Sequence, residues 1–386
     1  MLNRLKVRNF KALRDVDLEL RERNVFIGRN NAGKSSLLHA LTALTNMIGT
    51  GEVSRVFNGP QGFSQFLWKG GSETFMDFEL WGDNRPLGEE KEPISFHYLI
   101  QIGLEPQQGP IVQKEELTIG PRFGTNLISV EAGIGVASRA SGEVLFNNPG
   151  SRVKPFLSYE IPGWEADSIR RYISGWHFYQ FMPELTKTTV SQAVAMPFLD
   201  IQGTHISGWL HMMRANHPEV FQRIVSVAKE AFPEIEAITT PVTQAGTTFL
   251  SSSEKGLRSP VSIFHASDGE IKFLQLLSII FSPLDVGLVG VEEPESHLHP
   301  RLIELVVDAA NNARVEFGES AAQVFVTTHS TFLIDRLEPE DVVVVDKVDG
   351  ATHFQRASTK KDIKRMLEEG ELSFGRLWYS GALGGV

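Results

Sequence analysis

Eight residues, Gly28-Arg29-Asn30-Asn31-Ala32-Gly33-Lys34-Ser35, constrain this chain more than any others. They fit the pattern G-x-x-x-x-G-K-[ST] in full. An apolar run, Asn24-Val25-Phe26-Ile27, precedes them, and a helical stretch from Ser35 to Met47 follows, with Leu37, Leu38, Leu41 and Leu44 on one face. A strand that turns on glycines into a helix start aims backbone N–H groups and the helix N-terminus at one spot, and that spot suits a phosphate. Lys34 would reach the β- and γ-phosphates of a nucleotide, and the Ser35 hydroxyl would ligate Mg²⁺. Ser36 completes the stretch expected to bind it. The other reading is a chance glycine turn before a helix. The strand before the loop and the helix after it are the context that the phosphate reading requires.

Composition sets the frame around this loop. A chain of 386 residues suffices for one large α/β domain with an elaborate second lobe, or for two domains. Apolar residues make up 41% and charged residues 22%, so disorder is not the default. There is no cysteine, which excludes disulfides, zinc–thiolate sites and cysteine nucleophiles, and fits a cytoplasmic location. Met1-Leu2-Asn3-Arg4-Leu5-Lys6 is too charged for a signal peptide. The longest apolar runs, Leu274 to Phe281 and Val342 to Val345, fall far short of a membrane span, so no membrane partner is expected. A net charge of −10 argues against bulk attraction to nucleic acid, although a local basic patch could still bind DNA.

The pattern along the chain predicts an α/β fold with further lobes. The first 27 residues read as strands. Phe75 to Leu80, Ile94 to Ile102 and Val112 to Ile119 read as an antiparallel sheet, with turns at Gly82-Asp83-Asn84, Gln108-Gly109-Pro110 and Asn148-Pro149-Gly150. Residues 165–235 are helical in character, including stretches from Ile206 and from Pro218 to Phe232. Beyond about residue 260 the alternation of strand and helix returns, as in a parallel core. The expected division is an N-terminal lobe at 1–160, a helical insertion with connecting strands at 161–255, and a C-terminal lobe at 256–386.

Val286-Gly287-Leu288-Val289-Gly290-Val291 is an apolar run that ends at Glu292-Glu293. Buried unpaired carboxylates cost several kcal/mol, so a cation is expected nearby. Adjacent strand residues point to opposite sides, so the two acids have different jobs. One can ligate Mg²⁺ and the other can polarise an attacking water. The alternative is a solvated strand end. His297 and His299 have metal-like spacing, but no further ligand stands near them in sequence, and a turn into a helix from Arg301 is the better reading. Gln323 to Thr328 is another buried strand, and it ends at His329. A histidine there lies at the ligand edge of a parallel sheet; it could touch a γ-phosphate or the attacking water, or simply cap the next helix. Ser267 is a good cap for an apolar helix from Ile271 to Ile280, and Gly269 permits close approach.

In this order, these pieces resemble the ABC-type P-loop ATPases of the RecF, SMC and OLD class. Gly28–Ser35 resembles Walker A. Ser267-Asp268-Gly269-Glu270 resembles the signature motif, with Asp and Glu where Gly and Gln are common. Val289 to Glu295 resembles Walker B, with Glu292 where many members carry Asp. Ser296-His297-Leu298-His299-Pro300 resembles the D-loop, His329 the switch histidine, and Arg8-Asn9-Phe10-Lys11-Ala12-Leu13 the family's opening. The resemblance implies a P-loop NTPase core, a parallel sheet with flanking helices, plus an antiparallel β lobe and a helical insertion. It implies ATP as substrate with Mg²⁺, Glu292 with Ser35 at the metal, Glu293 as the catalytic base and His329 as γ-phosphate sensor. It also implies a homodimer in which Ser267, Asp268, Gly269 and Glu270 serve the partner's nucleotide. Gln65 is a candidate for the Q-loop glutamine. Lys11 either contacts nucleotide or is a solvated strand-end lysine.

Within the class, about 230 residues separate Ser36 from Ser267, more than a transporter ATPase uses, and no long heptad pattern supplies an SMC-like tether. OLD nucleases add a Toprim domain, whereas Asp346 and Asp349 have the wrong spacing for its acidic pair and sit beside Gly350. Leu377 to Gly385 resembles stand-alone bacterial OLD-like ATPases, often encoded beside a separate effector. The expectation is therefore an antiphage-defence or DNA-maintenance ATPase acting with an effector protein. The alternative is a RecF-like repair clamp on duplex DNA.

Overall fold

The computed structural model describes residues 1–57, 62–84, 93–105, 109–147, 152–194, 196–283, 286–318, 321–359 and 373–381. Two sheets organise the chain. The first is antiparallel, with strands β1 (Leu2–Phe10), β2 (Leu13–Glu19), β4 (Phe75–Asp83), β5 (Ser95–Glu105), β6 (Gly109–Ile119), β7 (Thr125–Glu131), β8 (Ile134–Ser138) and β9 (Val144–Asn147) in the order β2-β1-β4-β5-β6-β7-β8-β9. β4 alternates buried and half-buried residues along its length, as a strand with one core face should.

The second sheet holds β3 (Arg23–Gly28), β10 (His177–Tyr179), β16 (Leu288–Glu292), β17 (Gln323–Thr328), β18 (Val342–Val348) and β19 (Ala351–Arg356), in the order β10-β16-β17-β3-β18-β19. All neighbours are parallel except the hairpin β18–β19. Val343, Val345 and Phe325 are wholly buried, as both-face burial of a parallel sheet requires. Smaller pieces complete the strands: β11 (Ser191–Gln192) pairs with β13 (Thr247–Thr248), and β12 (Ile235–Thr239), β14 (Ser251–Glu254) and β15 (Val261–Ser262) form a three-stranded sheet.

Helix α1 (Lys34–Thr50) contacts both large sheets through β1, β3 and β10. Its buried residues include Ala40, Ala43, Met47 and Ile48 besides the expected leucine stripe. The burial is wider than one face because the helix lies between two layers. Helices α2 (Val53–Val56) and α3 (Ala166–Ser174) pack against it. A second core is built by α5 (Ile206–Asn216), α6 (Pro218–Ala231), α7 (Asp268–Ile280) and α8 (Pro300–Phe317), around Trp209, Phe221, Phe273 and Leu277. α4 (Pro183–Thr186) packs on α7, and α9 (Thr331–Ile334) on a final helix, Phe374–Tyr379. Among the described residues, no helix is long and apolar enough to cross a membrane.

The expected turn at Gly82-Asp83-Asn84 is corrected. Gly82 and Asp83 remain in β4, paired with Phe96 and Ser95. A Cβ on Gly82 would lie 2.5 Å from the Met1 carbonyl oxygen, so this glycine serves the close approach of β1 rather than a bend. Likewise Gly109 and Pro110 begin β6. Gln108 and the expected turn at 148–150 lie outside the described residues.

Candidate nucleotide site

β3 carries the chain to Gly28, and the carboxyl ends of β16 and β17 emerge on the same edge, with Glu292 opposite Thr327 and Thr328 opposite Ile27. Ligands of open parallel sheets bind at this edge. The Gly28–Ser35 loop, Glu292, Glu293 and His329 are therefore brought together from three strands far apart in sequence.

The loop is held by its glycine and by a residue from β19. Gly33 has φ +107°, and a Cβ there would sit 2.0 Å from Thr352 Oγ1. That hydroxyl donates to the Ala32 carbonyl at 2.8 Å. Asn31 also takes a left-handed φ, +66°, and Arg29, Asn30 and Asn31 are exposed on the rim. Ser35 and Ser36 follow in the first turn of α1.

Lys34 is 5% exposed. Its ammonium donates to the carbonyls of Gly28 (2.7 Å) and Arg29 (3.0 Å) and lies 2.9 Å from His329 Nε2. Burial pulls its pKa down to about 8, against the opposing pull of Glu293, Glu295 and Glu292. The same His329 nitrogen is 3.2 Å from Glu293 Oε1. Burial, then the Lys34 charge, lower the His329 pKa and outweigh the nearby carboxylates, which favours the neutral ring. A neutral ring can use Nε2 to accept from Lys34 or to donate to Glu293, but not both.

Glu293 stands just past the strand end with a left-handed φ of +42°, a conformation rarely taken by a side chain of this type. Its N–H donates to the Thr327 carbonyl at 3.0 Å. Two residues on, Glu295 Oε1 accepts from Thr328 Oγ1 (2.7 Å) and from the His329 N–H (2.8 Å). Glu295 thus ties the end of β17 to the loop after β16, a role that its place in the sequence did not reveal.

Glu292 closes β16 with the Ser35 hydroxyl among its neighbours. Burial raises its carboxyl pKa, with Ser35, Lys11 and Lys34 opposing. Ser35 and Glu292 offer neighbouring hard oxygen donors, which is the donor chemistry that Mg²⁺ takes. Lys11 is not a solvated strand end: its Nζ is 2.9 Å from His39 Nδ1, and His39 Nε2 is 4.0 Å from Glu292 Oε1. Gln65 sits in a short turn, Phe63–Phe66, joined to the β1–β2 turn by the Lys11 N–H to the Phe66 carbonyl.

Two family models match parts of the chain. A family described as "AAA ATPase domain" matches residues 1–85. A second, described as "AAA domain, putative AbiEii toxin, Type IV TA system", matches residues 147–335. No curated protein matches the chain. Among solved structures, the chain is similar to an Smc head bound to the C-winged helix domain of ScpA. The identity is 13%, 94% of this chain and 99% of that one are covered, and the TM-score is 0.57. It is also similar to an Smc head domain with an extended coiled coil, bound to the C-terminal domain of ScpA derived from Pyrococcus furiosus. There the identity is 13%, the coverage 96% and 99%, and the TM-score 0.52. The chain carries AAA-type ATPase domains, and its fold is that of an Smc head.

In this ATPase, Ser267 caps α7 by accepting from the Glu270 N–H at 3.1 Å. Asp268 pairs with Lys187 at 2.6 Å and lies 3.9 Å from His297, which is itself 3.7 Å from Glu184. A Cβ on Gly269 would lie 2.9 Å from the His297 carbonyl oxygen. The start of α7 therefore rests on the loop after β16. His299 instead caps α8 through the Arg301 N–H, so the two histidines do not converge on one ion. Lys272, one turn into α7 and 1% exposed, reaches Ser296 Oγ at 3.2 Å, and burial pulls its pKa to about 8. A lysine inside an apolar helix was the sequence signal that could have found it.

Proposed function

We propose that this ATPase closes around ATP as a homodimer and hydrolyses it with Glu293 as general base, as the sensor subunit of a defence or DNA-maintenance system with a separate effector. The observation that carries the catalytic part is His329 Nε2 at the phosphate loop, within hydrogen-bonding reach of Lys34 on one side and Glu293 on the other. Lys34 exchanges its carbonyl partners for the β- and γ-phosphates. Glu293 takes a proton from the attacking water as the new P–O bond forms and the bond to ADP breaks. His329 Nε2, freed from Lys34, can donate to the γ-phosphate. Mg²⁺, held by Ser35 and Glu292, would neutralise charge on the phosphates. The contacts of Asp268 and Gly269 run to Lys187 and His297 of their own chain rather than to the phosphate loop. This supports a role for Ser267 to Glu270 at a second subunit's nucleotide.

The defence role is supported by the description of the second family as a putative toxin of a Type IV TA system. The test is the mass of Glu293→Gln in solution with ATP and Mg²⁺, beside the same protein with ADP. A dimer with ATP and a monomer with ADP are expected; a monomer in both refutes the composite site. Turnover that rises with duplex DNA and without any protein partner would favour the DNA-clamp alternative.

A further inference from the structure

We propose that Lys11 and His39 form a positioning pair for Glu292, holding its carboxylate in place for the cation that Glu292 and Ser35 would bind. The inference rests on the reading of Glu292 as a metal ligand and extends it to His39, outside the family motifs, and to Lys11, whose part in the opening stretch those motifs leave open.

His39 lies four residues after Ser35 on α1, so both side chains project from one face of the helix toward the end of β16. Lys11 comes from the β1–β2 turn. Its backbone is fixed in the left-handed region, φ +50°, and its N–H is bound to the Phe66 carbonyl at 2.7 Å. An ammonium can only donate, so at 2.9 Å from Lys11 Nζ the His39 Nδ1 must offer its lone pair. A neutral His39 then carries its proton on Nε2, the nitrogen that faces Glu292 Oε1 at 4.0 Å. Glu292 is thus approached from one side by the Ser35 hydroxyl and from another by an imidazole N–H, which is itself oriented by a lysine. The His39 side chain is 45% exposed, so core packing is not what it supplies.

The experiment uses the full chain with a non-hydrolysable ATP analogue and Mn²⁺, and reads free Mn²⁺ by electron paramagnetic resonance. Outer partners of metal ligands are typically worth about 10- to 100-fold in metal affinity, and that loss is expected for His39→Ala and for Lys11→Met. His39→Gln, whose amide N–H can stand near the Nε2 position, should recover most of it. Melting temperatures should stay at the wild-type value. Glu292→Gln serves as the control and should lose Mn²⁺ affinity most. Wild-type Mn²⁺ affinity in His39→Ala, alongside a loss in Glu292→Gln, overturns the pair and leaves the ligand reading standing. A loss in His39→Ala that His39→Gln does not relieve also overturns it. No loss in Glu292→Gln overturns the ligand reading, and the pair with it.

Discussion

Removing the Glu295 carboxylate should uncouple hydrolysis from binding. Its Oε1 accepts two short hydrogen bonds, from Thr328 Oγ1 at 2.7 Å and from the His329 N–H at 2.8 Å. Hydrogen bonds to a charged group are worth about 1.5–3 kcal/mol each, so Glu295→Ala forfeits roughly 3–6 kcal/mol of local stabilisation at the end of β17. His329 then loses the anchor of its backbone. A shift of about 1 Å in a positioned group can cost about 100-fold in rate, and a fall of that order in turnover is expected. The Lys34 contacts to Gly28 and Arg29 are untouched, so nucleotide affinity should stay close to wild type. Glu295→Gln keeps an acceptor oxygen at the same place and loses only the charge, at about 1 kcal/mol, so its turnover should fall only a few-fold. The assay is phosphate release at saturating ATP, beside equilibrium binding of a fluorescent ATP analogue. Wild-type turnover in Glu295→Ala would refute the reasoning, as would equal losses in the Ala and Gln variants.

Two further outcomes follow from the buried charges. Lys34 titrates near 8 without ligand and must be an ammonium to hold phosphate. Above that pH, binding must first add a proton, so the Kd for ATP should rise by up to about tenfold per pH unit. Lys34→Arg, which stays charged, should flatten the rise, and a wild-type Kd level from pH 7 to 10 would contradict it. Glu115 is wholly buried and accepts from Phe156 N–H, Leu157 N–H and Tyr98 Oη–H, yet burial raises its pKa from 4.5 to about 7. The folded state therefore holds this proton more tightly than the unfolded chain does. Stability should fall by about 3 kcal/mol as pH rises from 4.5 through 7 and stay level above. Glu115→Gln should remove that slope in thermal melts, and an unchanged slope would count against the assignment.

What the sequence made legible was what local chemistry dictates. The phosphate loop needs glycine conformations, a lysine and a hydroxyl within eight consecutive residues, and Glu292-Glu293 stand directly after their strand. Groups whose meaning comes from a distant partner were not legible. Glu295 matters through His329, 34 residues away; His39 through Lys11, 28 away; Thr352 through Ala32, 320 away. The three residues of β10 pair with Val289, Gly290 and Val291, yet His177-Phe178-Tyr179 is too short to show a strand period within a helical region. Gly82 reads as a turn by composition, and only the neighbouring β1 gives it another use.

The claim at the centre is that Glu293, at the end of the strand beside the phosphate loop, activates the water that attacks ATP. Glu293→Gln keeps the shape and removes the base. Phosphate release and ATP binding should be measured on the same preparation. ATP should bind as in wild type, while release falls by at least about 100-fold, the usual share of a general base. Turnover equal to wild type would contradict the account.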